Sequence, residues 1–227
     1  MLERVNGAGT VIVDLSHVLD PDIPMFPDFP PPEISTFVSR EASRNVYDPG
    51  TEFLIQRVTM IGNTGTYLDA PFHRYADGAD LASLDLARLC HVPGVMVDVS
   101  GSMTIDAPSV PEEVEGCAVL FQTGWDSRWG SSSYLEENPH FTAPAAEALR
   151  DRGAVLVGID SWNVDDVTDM SRPVHSILLA AGIPVVENLT GLNRLPARGF
   201  RFNAPVLPLR GGTAVSVRAF AVVEEKK

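Results

Sequence analysis

The sequence has little cysteine, no long hydrophobic run and few basic residues. It contains two cysteines, Cys90 and Cys117, without a CxxC or metal-type spacing. We interpret both as small buried hydrophobic residues, and a disulfide is unsupported. No segment approaches the roughly 18 uninterrupted apolar residues of a membrane span, and residues 1–6 lack the apolar core of a signal peptide. We therefore expect a cytoplasmic protein.

The shortage of basic residues gives a formal net charge of -13. Nucleic acid phosphates and anionic membrane surfaces would be repelled by such a chain, which argues against either as a partner. A length of 227 residues with 44% hydrophobic content is enough to bury a substantial core. We expect a single domain covering residues 1–227.

Short β-branched or apolar runs predict strands at Thr10–Leu15, Gly94–Val99, Ala118–Thr123, Ala154–Ile159, Pro184–Val186 and Ala214–Val223. Between them, the pattern predicts helices at Leu81–Leu89, Ala143–Arg152 and His175–Ala181. The second helix opens on Thr142 as N-cap, has Pro144 in its first turn and closes on Gly153. The sequence thus predicts a mixed α/β fold. The long final strand and the proline-rich residues 21–32 argue against a plain doubly wound sheet.

Many predicted strands end in polar or acidic residues, which are Asp14, Asp98, Gln122, Asp160 and Glu187. Strand ends are where sheets commonly build functional sites. The alternative is that these side chains cap turns and satisfy backbone groups.

The segment Asn63–His73 is the richest in chemistry. If it runs extended, its odd-numbered members project to one side, and four polar side chains converge there: Asn63, Tyr67, Asp69 and His73. Gly65 permits an unusual dihedral and Pro71 removes a ladder hydrogen bond, so part of the segment is an edge or a loop. The alternative is a core tyrosine and a hydrogen-bonded loop histidine.

This segment resembles the signature His-x-Gly-Thr-His-x-Asp-x-Pro-x-His of the bacterial cyclase family, which includes metal-dependent kynurenine formamidases and isatin hydrolases. Gly65, Thr66, Asp69, Pro71 and His73 match it in register. Asn63 and Tyr67 instead stand where the pattern has histidines. The similarity extends from about Val11 to Leu195 through further segments, which are Val13–His17, Pro24–Pro27, Gln122–Trp125, Gly158–Ser161, Pro173–Ile183 and Glu187–Leu189.

The resemblance implies a swivelling β/β/α domain of the cyclase or kynurenine formamidase type, assembled as a homodimer or homotetramer. It also implies a hydrolase of carbon–nitrogen bonds other than peptide bonds. The expected substrate is a small molecule, cyclic or aromatic, with an amide, lactam or lactone carbonyl that is attacked by an activated water.

The resemblance further implies that Asp69, His175 and Glu187 occupy metal-ligand positions and that His73 is the acid–base histidine. The other two ligand positions hold Asn63, a weak oxygen ligand, and Tyr67, whose phenol must lose a proton to bind zinc. An Asp-His-Glu triplet still offers the ligand types of one divalent ion, Zn or Mn. Because two donors are lost, the sequence slightly favours a metal-free site.

Two mechanisms therefore remain open. With a metal, the ion would activate water and polarise the carbonyl, while His73 moves a proton to the leaving group. Without one, His73 or a carboxylate, Asp69 or Glu187, would act as general base. The Tyr67 hydroxyl and the Asn63 amide would then donate to a developing oxyanion. That mechanism would suit a metal-free cyclase or lyase in a biosynthetic pathway, and a non-catalytic ligand-binding descendant is a further alternative.

Three aromatic residues, Trp125, Trp129 and Phe26, are candidates for binding a planar or cyclic substrate. Each is equally compatible with a place in the core.

Overall fold

A computed structural model of the protein describes residues 9–22, 26 and 29–224 and the backbone of residues 2–5. The strands of this part of the chain are β1 (Leu2–Val5), β2 (Thr10–Asp14), β3 (Glu33–Val38), β4 (Ile55–Thr59), β5 (Tyr67–Asp69), β6 (Val92–Asp98), β7 (Thr104–Ile105), β8 (Ala118–Gln122), β9 (His140–Phe141), β10 (Leu156–Ile159), β11 (Val185–Glu187), β12 (Arg198–Asn203), β13 (Ala214–Ser216) and β14 (Phe220–Glu224). Its α-helices are α1 (Arg40–Ser43), α2 (Ala143–Asp151) and α3 (Pro173–Ala180). The mixed α/β class predicted from the sequence is confirmed. Of the predicted turn Pro24–Pro27, only Phe26 lies among the described residues.

One mixed sheet contains ten strands in the order β1-β2-β14-β12-β6-β8-β10-β11-β5-β13. Its centre is parallel, from β6 through β8 and β10 to β11, and antiparallel pairs flank it on both sides. Strand β13 lies at one edge of this sheet, whereas β14 lies beside β2 near the other edge. Because β13 and β14 follow each other directly in the chain, the sheet must curl to bring them close together. The predicted single strand Ala214–Val223 is therefore two strands. Between them, the Val217 N–H donates to the Thr66 carbonyl and the Leu15 N–H to the Ala219 carbonyl, both at 2.9 Å.

The central strands are apolar throughout because both faces of the sheet are covered. Along β8, Val119 and Phe121 face a cluster formed with α2 and α3, while Leu120 faces a second cluster on the other side. Cys117 packs against the first of these clusters and Cys90 against the second, and both are free and partly buried. They act as small apolar residues, as the sequence indicates.

Helix α2 begins as predicted, since the Thr142 hydroxyl accepts a hydrogen bond from the Ala145 N–H at 3.3 Å. Helix α3 matches the predicted His175–Ala181 but starts two residues earlier, at Pro173, whose fixed φ suits a first helical turn. Within the described ranges, no helix is long and apolar enough to cross a membrane.

The predicted helix Leu81–Leu89 is wrong, because this segment forms turns with a short 3-10 helix at Leu86–Arg88. Two aspartates explain the difference. The Ser83 N–H donates to Asp80 and the Ala87 N–H to Asp85, each at 2.9 Å. Such local side-chain acceptors compete with the backbone acceptors of a helix.

Strands β3 and β4 form a separate hairpin that the sequence does not predict. It carries large exposed apolar side chains, including Ile34 at 52%, Phe37 at 64% and Val58 at 57% exposure. An isolated two-stranded hairpin is marginally stable in water, and apolar patches of this kind are uncommon on protein surfaces.

Candidate active site

A cavity of about 230 Å³ brings together the polar side chains of the segment Asn63–His73 and residues from α3 and β11. The residues that line it are Phe26, Phe29, Asn63, Tyr67, Asp69, His73, Arg74, Asn163, Arg172, His175 and Glu187. Seven of the predicted site residues therefore share one space, although they come from distant parts of the sequence.

The segment Asn63–His73 does not run extended, which corrects the expectation from its alternating pattern. Only Tyr67–Asp69 is a strand, and Pro71–His73 forms a 3-10 turn. Gly65 has a φ of +64°, and a Cβ there would lie 2.3 Å from the Leu19 side chain. The bends nevertheless leave the four polar side chains facing the same cavity.

Tyr67 and Glu187 are paired across β5 and β11. The Tyr67 hydroxyl donates a hydrogen bond to Glu187 Oε2, and the Val164 N–H donates to Oε1 at 2.7 Å. Tyr67 is 1% exposed and Glu187 fully buried. Burial and the neighbouring Glu187 carboxylate raise the pKa of Tyr67 well above its usual value, so the phenol stays protonated as a donor.

Asn63 makes the corresponding contact with Asp69. Its Nδ2 donates to Asp69 Oδ1 at 3.0 Å. The other oxygen, Asp69 Oδ2, is buried and has no hydrogen-bond partner among the described residues. A buried carboxylate oxygen without a partner is costly and indicates a ligand at this position.

His175 is held by Asp165, whose Oδ2 lies 2.6 Å from Nδ1 of the ring. Asp165 also accepts from the backbone N–H groups of Val174 and His175, at 2.7 and 3.1 Å, at the start of α3. The other ring nitrogen, Nε2, lies 3.6 Å from Asp69 Oδ2 and 3.7 Å from Glu187 Oε1. Asp165 thus fixes the orientation of the ring and directs Nε2 at the two carboxylates.

These neighbours control the protonation of the buried groups. Burial lowers the pKa of His175, but the hydrogen bond to Asp165, the adjacent Asp69 carboxylate and the charge of Glu187 outweigh it and raise the pKa to about 10. Burial, together with Asp69, raises the pKa of Glu187 to about 7 against the opposing effect of His175. A positive charge on His175 therefore favours the ionised form of Glu187, and a bound cation would supply a similar charge.

Comparison with known proteins identifies the family of this chain. The Cyclase family model matches residues 13–166. The chain belongs to the Cyclase family. Kynurenine formamidase from Geobacillus thermodenitrificans is 30% identical over 215 residues, covering 91% of this chain and 95% of the relative. Kynurenine formamidase from Bacillus cereus is 29% identical over 209 residues, with the same two coverages.

Solved structures with the same fold include isatin hydrolase A from Ralstonia solanacearum, with a TM-score of 0.80 and 23% identity over 95% of this chain and 92% of that one. An isatin hydrolase bound to the product analogue thioisatinate has a TM-score of 0.79 and 25% identity over 95% and 93% of the two chains. The Cyclase family and its mixed swivelling fold, both expected from the signature, are confirmed.

The donor set of this Cyclase family member fits one divalent ion. One ligand atom from each of Asp69, His175 and Glu187 can be chosen so that all three lie within 4.8 Å of one another. Carboxylate and imidazole donors suit zinc and manganese, and the Asp165–His175 contact is the usual outer support of a histidine ligand. Asn63 and Tyr67 each donate to one oxygen of a carboxylate. The other oxygens, Asp69 Oδ2 and Glu187 Oε1, lie 3.6 and 3.7 Å from His175 Nε2.

His73 lies at the cavity mouth, with 36% of its side chain exposed and Nδ1 3.8 Å from Asp69 Oδ1. Phe26 and Phe29 form an apolar wall, their ring centroids 5.5 Å apart. The predicted contribution of Phe26 to the cavity thus has a structural basis, and Phe29 is a lining residue that the sequence does not reveal.

Trp125 and Trp129 do not line this cavity in the part of the chain described here. The Trp125 Nε1–H donates to the Tyr134 carbonyl at 3.0 Å, and the Trp129 ring stacks on His17 with centroids 3.9 Å apart. Both rings belong to an aromatic cluster with Tyr134 and Trp162. Within this cluster, the Trp162 ring packs edge-on against Phe26. Their placement matches the core alternative rather than direct substrate contact.

Among the predicted strand-end residues, only Glu187 reaches the cavity. Asp98 accepts from Ser100, Asp14 pairs with Arg218, and Asp160 accepts from the backbone and hydroxyl of Thr123. These three cap turns or fix loops, as the alternative interpretation holds. Asp165, which sequence reasoning missed, lies in the acidic stretch after β10; its position ten residues before His175 was the available signal.

Proposed function

We propose that this protein hydrolyses a carbon–nitrogen bond in a small amide or lactam by attack of an activated water on the carbonyl. The observation that carries the proposal is the buried, unpaired Oδ2 of Asp69, which faces His175 and Glu187 beside the cavity. Relatives named kynurenine formamidase and isatin hydrolase are hydrolases of this bond class, which is the class expected from the sequence.

Our proposal includes one divalent ion, Zn or Mn, held by Asp69, His175 and Glu187. When bound, such an ion lowers the pKa of water and polarises a substrate carbonyl. Tyr67 and Asn63 support this arrangement, because each donates to one oxygen of a carboxylate whose other oxygen lies near His175 Nε2. Asp165 keeps His175 Nε2 directed at the same point.

The remaining steps belong to side chains at the mouth. His73 is the group placed to carry a proton to the departing nitrogen, since it is partly exposed and adjacent to Asp69. Phe26 and Phe29 exclude water from one side of the substrate and favour an aromatic or cyclic body. An engineered cavity of about 150 Å³ accommodates benzene, so about 230 Å³ suits one ring with substituents.

A metal-free cyclase or lyase is less well supported. It needs the Tyr67 hydroxyl and the Asn63 amide as donors to a substrate oxyanion. Both groups donate to buried carboxylates instead. The relatives that are named as hydrolases also favour a hydrolase over a metal-free cyclase or lyase.

We also propose that the protein forms a homodimer or homotetramer through the β3–β4 hairpin. The exposed apolar side chains of this hairpin support the proposal, because patches of this kind mark protein interfaces. The replacement Phe37→Asp should lower the oligomeric mass measured by light scattering, whereas Arg150→Asp on the exposed side of α2 should not. An unchanged mass for both variants would reject the hairpin as the interface.

The proposed reaction is tested with protein purified without chelator or affinity metal. Formylated aromatic amines, isatin-like lactams and simple lactones are assayed before and after chelation, and the bound metal is measured by elemental analysis. We expect turnover of an amide or lactam, loss of turnover on chelation, and about one ion per chain. His73→Ala should abolish turnover, and His91→Asn should not, because His91 lies outside the cavity. Turnover of lactones alone, or activity that survives chelation, would reject the proposal.

A further inference from the structure

Two arginines line the same cavity as the proposed catalytic groups, and neither has a role in the reaction described above. Arg74 directly follows His73, and Arg172 precedes α3 one turn before His175. Each is therefore tied through the chain to one of the two site histidines.

The local backbone holds both arginines in place. Arg172 has a φ of +49°, a left-handed conformation that is costly for a residue with a Cβ. Its Nη1 donates to the Asp166 carbonyl at 3.0 Å. Ser176 links the pair, since its hydroxyl donates to the Arg172 carbonyl at 2.8 Å and accepts from Arg74 Nε at 3.3 Å. Strained backbone of this kind is concentrated at ligand sites.

Neither guanidinium forms an ion pair with a carboxylate of the described chain. Asp166 and Asp169 are the nearby acidic residues in sequence, and their carboxylates accept from Thr168 and Ser171 at 2.8 and 2.7 Å. Arg74 lies over the Tyr75 ring, 5.3 Å from its centroid. Arg172 interacts electrostatically with Asp166 and Asp169 from a distance. In the described part of the chain, however, neither arginine has a carboxylate in direct contact with its guanidinium.

The two arginines at the cavity contrast with the overall negative charge of the protein. A net charge of -13 repels an anionic small molecule from most of the surface. Two guanidinium groups line the cavity beside Asp69 and Glu187, and they offer local positive charge in the fork geometry that suits carboxylates.

We propose that the substrate carries a carboxylate, which Arg172 and Arg74 bind while the aromatic or cyclic body lies against Phe26 and Phe29. The substrate class is then an anionic aryl amide or lactam rather than a neutral one. This inference rests on the proposed hydrolase function, because it assigns the position of the reacting carbonyl to the Asp69–His175–Glu187 end of the cavity.

The test compares substrates that differ only in the carboxylate. Formanilide is assayed beside the N-formyl derivatives of 2-, 3- and 4-aminobenzoate. We expect at least one acid to exceed formanilide in kcat/KM by about tenfold or more, as a charge-assisted hydrogen bond allows. Arg172→Gln and Arg74→Gln should each reduce the ratio of kcat/KM for the acid to kcat/KM for formanilide, mainly by raising KM for the acid. Arg150→Gln, on the exposed side of α2, should leave both the ratio and the activity unchanged.

The outcomes separate the two proposals. If the wild-type protein hydrolyses formanilide and the acids equally well, and Arg172→Gln leaves the ratio the same, the carboxylate inference is overturned. If no formamide or lactam is hydrolysed, the proposed function fails, and the inference is decided by calorimetry with the aminobenzoates and aniline. If an aminobenzoate binds more tightly than aniline and Arg172→Gln removes the difference, the carboxylate inference is supported. Equal binding of the aminobenzoates and aniline refutes it.

Discussion

The Tyr67 hydroxyl donates a hydrogen bond to Oε2 of Glu187, and the two residues lie directly opposite each other in the antiparallel strands β5 and β11. This contact explains how a tyrosine can stand at a position where we expect a histidine from the resemblance to the family signature. The phenol satisfies one oxygen of a fully buried carboxylate and leaves the other directed at His175.

Replacing Tyr67 with phenylalanine removes only this donor. Because the acceptor is a buried carboxylate, we expect the free energy of unfolding to fall by about 1.5–3 kcal/mol. Turnover should fall as well, since Glu187 loses its orientation. Urea denaturation near neutral pH measures the first effect. Tyr75→Phe is the matched control, because that hydroxyl donates to the Ser176 carbonyl rather than to a carboxylate. Equal losses in the two variants would contradict a special role for the Tyr67–Glu187 contact.

Asp165→Asn tests the support of His175. The variant keeps the shape of the buried side chain but weakens the acceptor for His175 Nδ1. Loss of such an outer partner typically reduces metal affinity or activity by roughly 10–100-fold. Titration calorimetry with Zn²⁺ or Mn²⁺ measures the affinity without reference to turnover. Asp169→Asn, on an exposed turn, should bind the ion like the wild-type protein, whereas wild-type affinity in Asp165→Asn would show that this contact does not position the ring.

Much of the fold could be predicted because buried parallel strands leave continuous apolar runs. Val119 and Phe121 face one cluster and Leu120 the other, so the whole of β8 is apolar and easily recognised. The helix predicted at Leu81–Leu89 is wrong because the side chains of Asp80 and Asp85 cap turns there. The spacing of apolar residues does not show this preference for turns. The β3–β4 hairpin was not predicted because its apolar residues, such as Ile34 and Phe37 on β3, do not alternate regularly with polar ones.

The residues that line the cavity could be predicted where a motif contains them. Asp69 and His73 stand in the signature, and His175 and Glu187 follow from the wider resemblance. The contacts that define the site could not be predicted, because they join residues far apart in sequence, as Arg74 and Ser176 do. That the Asn63 amide donates to Asp69 rather than into the cavity is likewise a property of the folded geometry.

Restoring both histidines, by Asn63→His with Tyr67→His, tests the correspondence with the family signature. The double variant adds two imidazole donors next to Asp69 and Glu187, so the number or affinity of bound divalent ions should rise. It also removes the two hydrogen bonds that now hold the carboxylates, so the ion-free protein should be less stable. Elemental analysis and thermal unfolding with and without added Zn²⁺ measure the two effects. Unchanged metal content in a folded variant would mean that these positions do not face the ion.

His17 gives a pH-dependent prediction away from the proposed ligands. Its ring stacks on Trp129, and its Nε2 is buried without a hydrogen-bond partner among the described residues. Burial, opposed by the charge of Asp126, lowers the pKa of His17 to about 4. The unfolded chain, with a pKa near 6.5, then binds more protons between these values, so stability should fall as the pH falls from about 6.5 through about 4.

The variant His17→Phe keeps a stacked ring and removes the titrating group. We expect it to be less sensitive to acid than the wild-type protein by about 2 kcal/mol between about pH 7 and about pH 4.5, after allowance for partial exposure. Burial raises the pKa of Asp160 to about 6, which acts in the opposite direction but is common to both proteins. The difference between their urea unfolding curves at each pH therefore isolates His17. Parallel pH profiles would show that His17 is not buried in its neutral form.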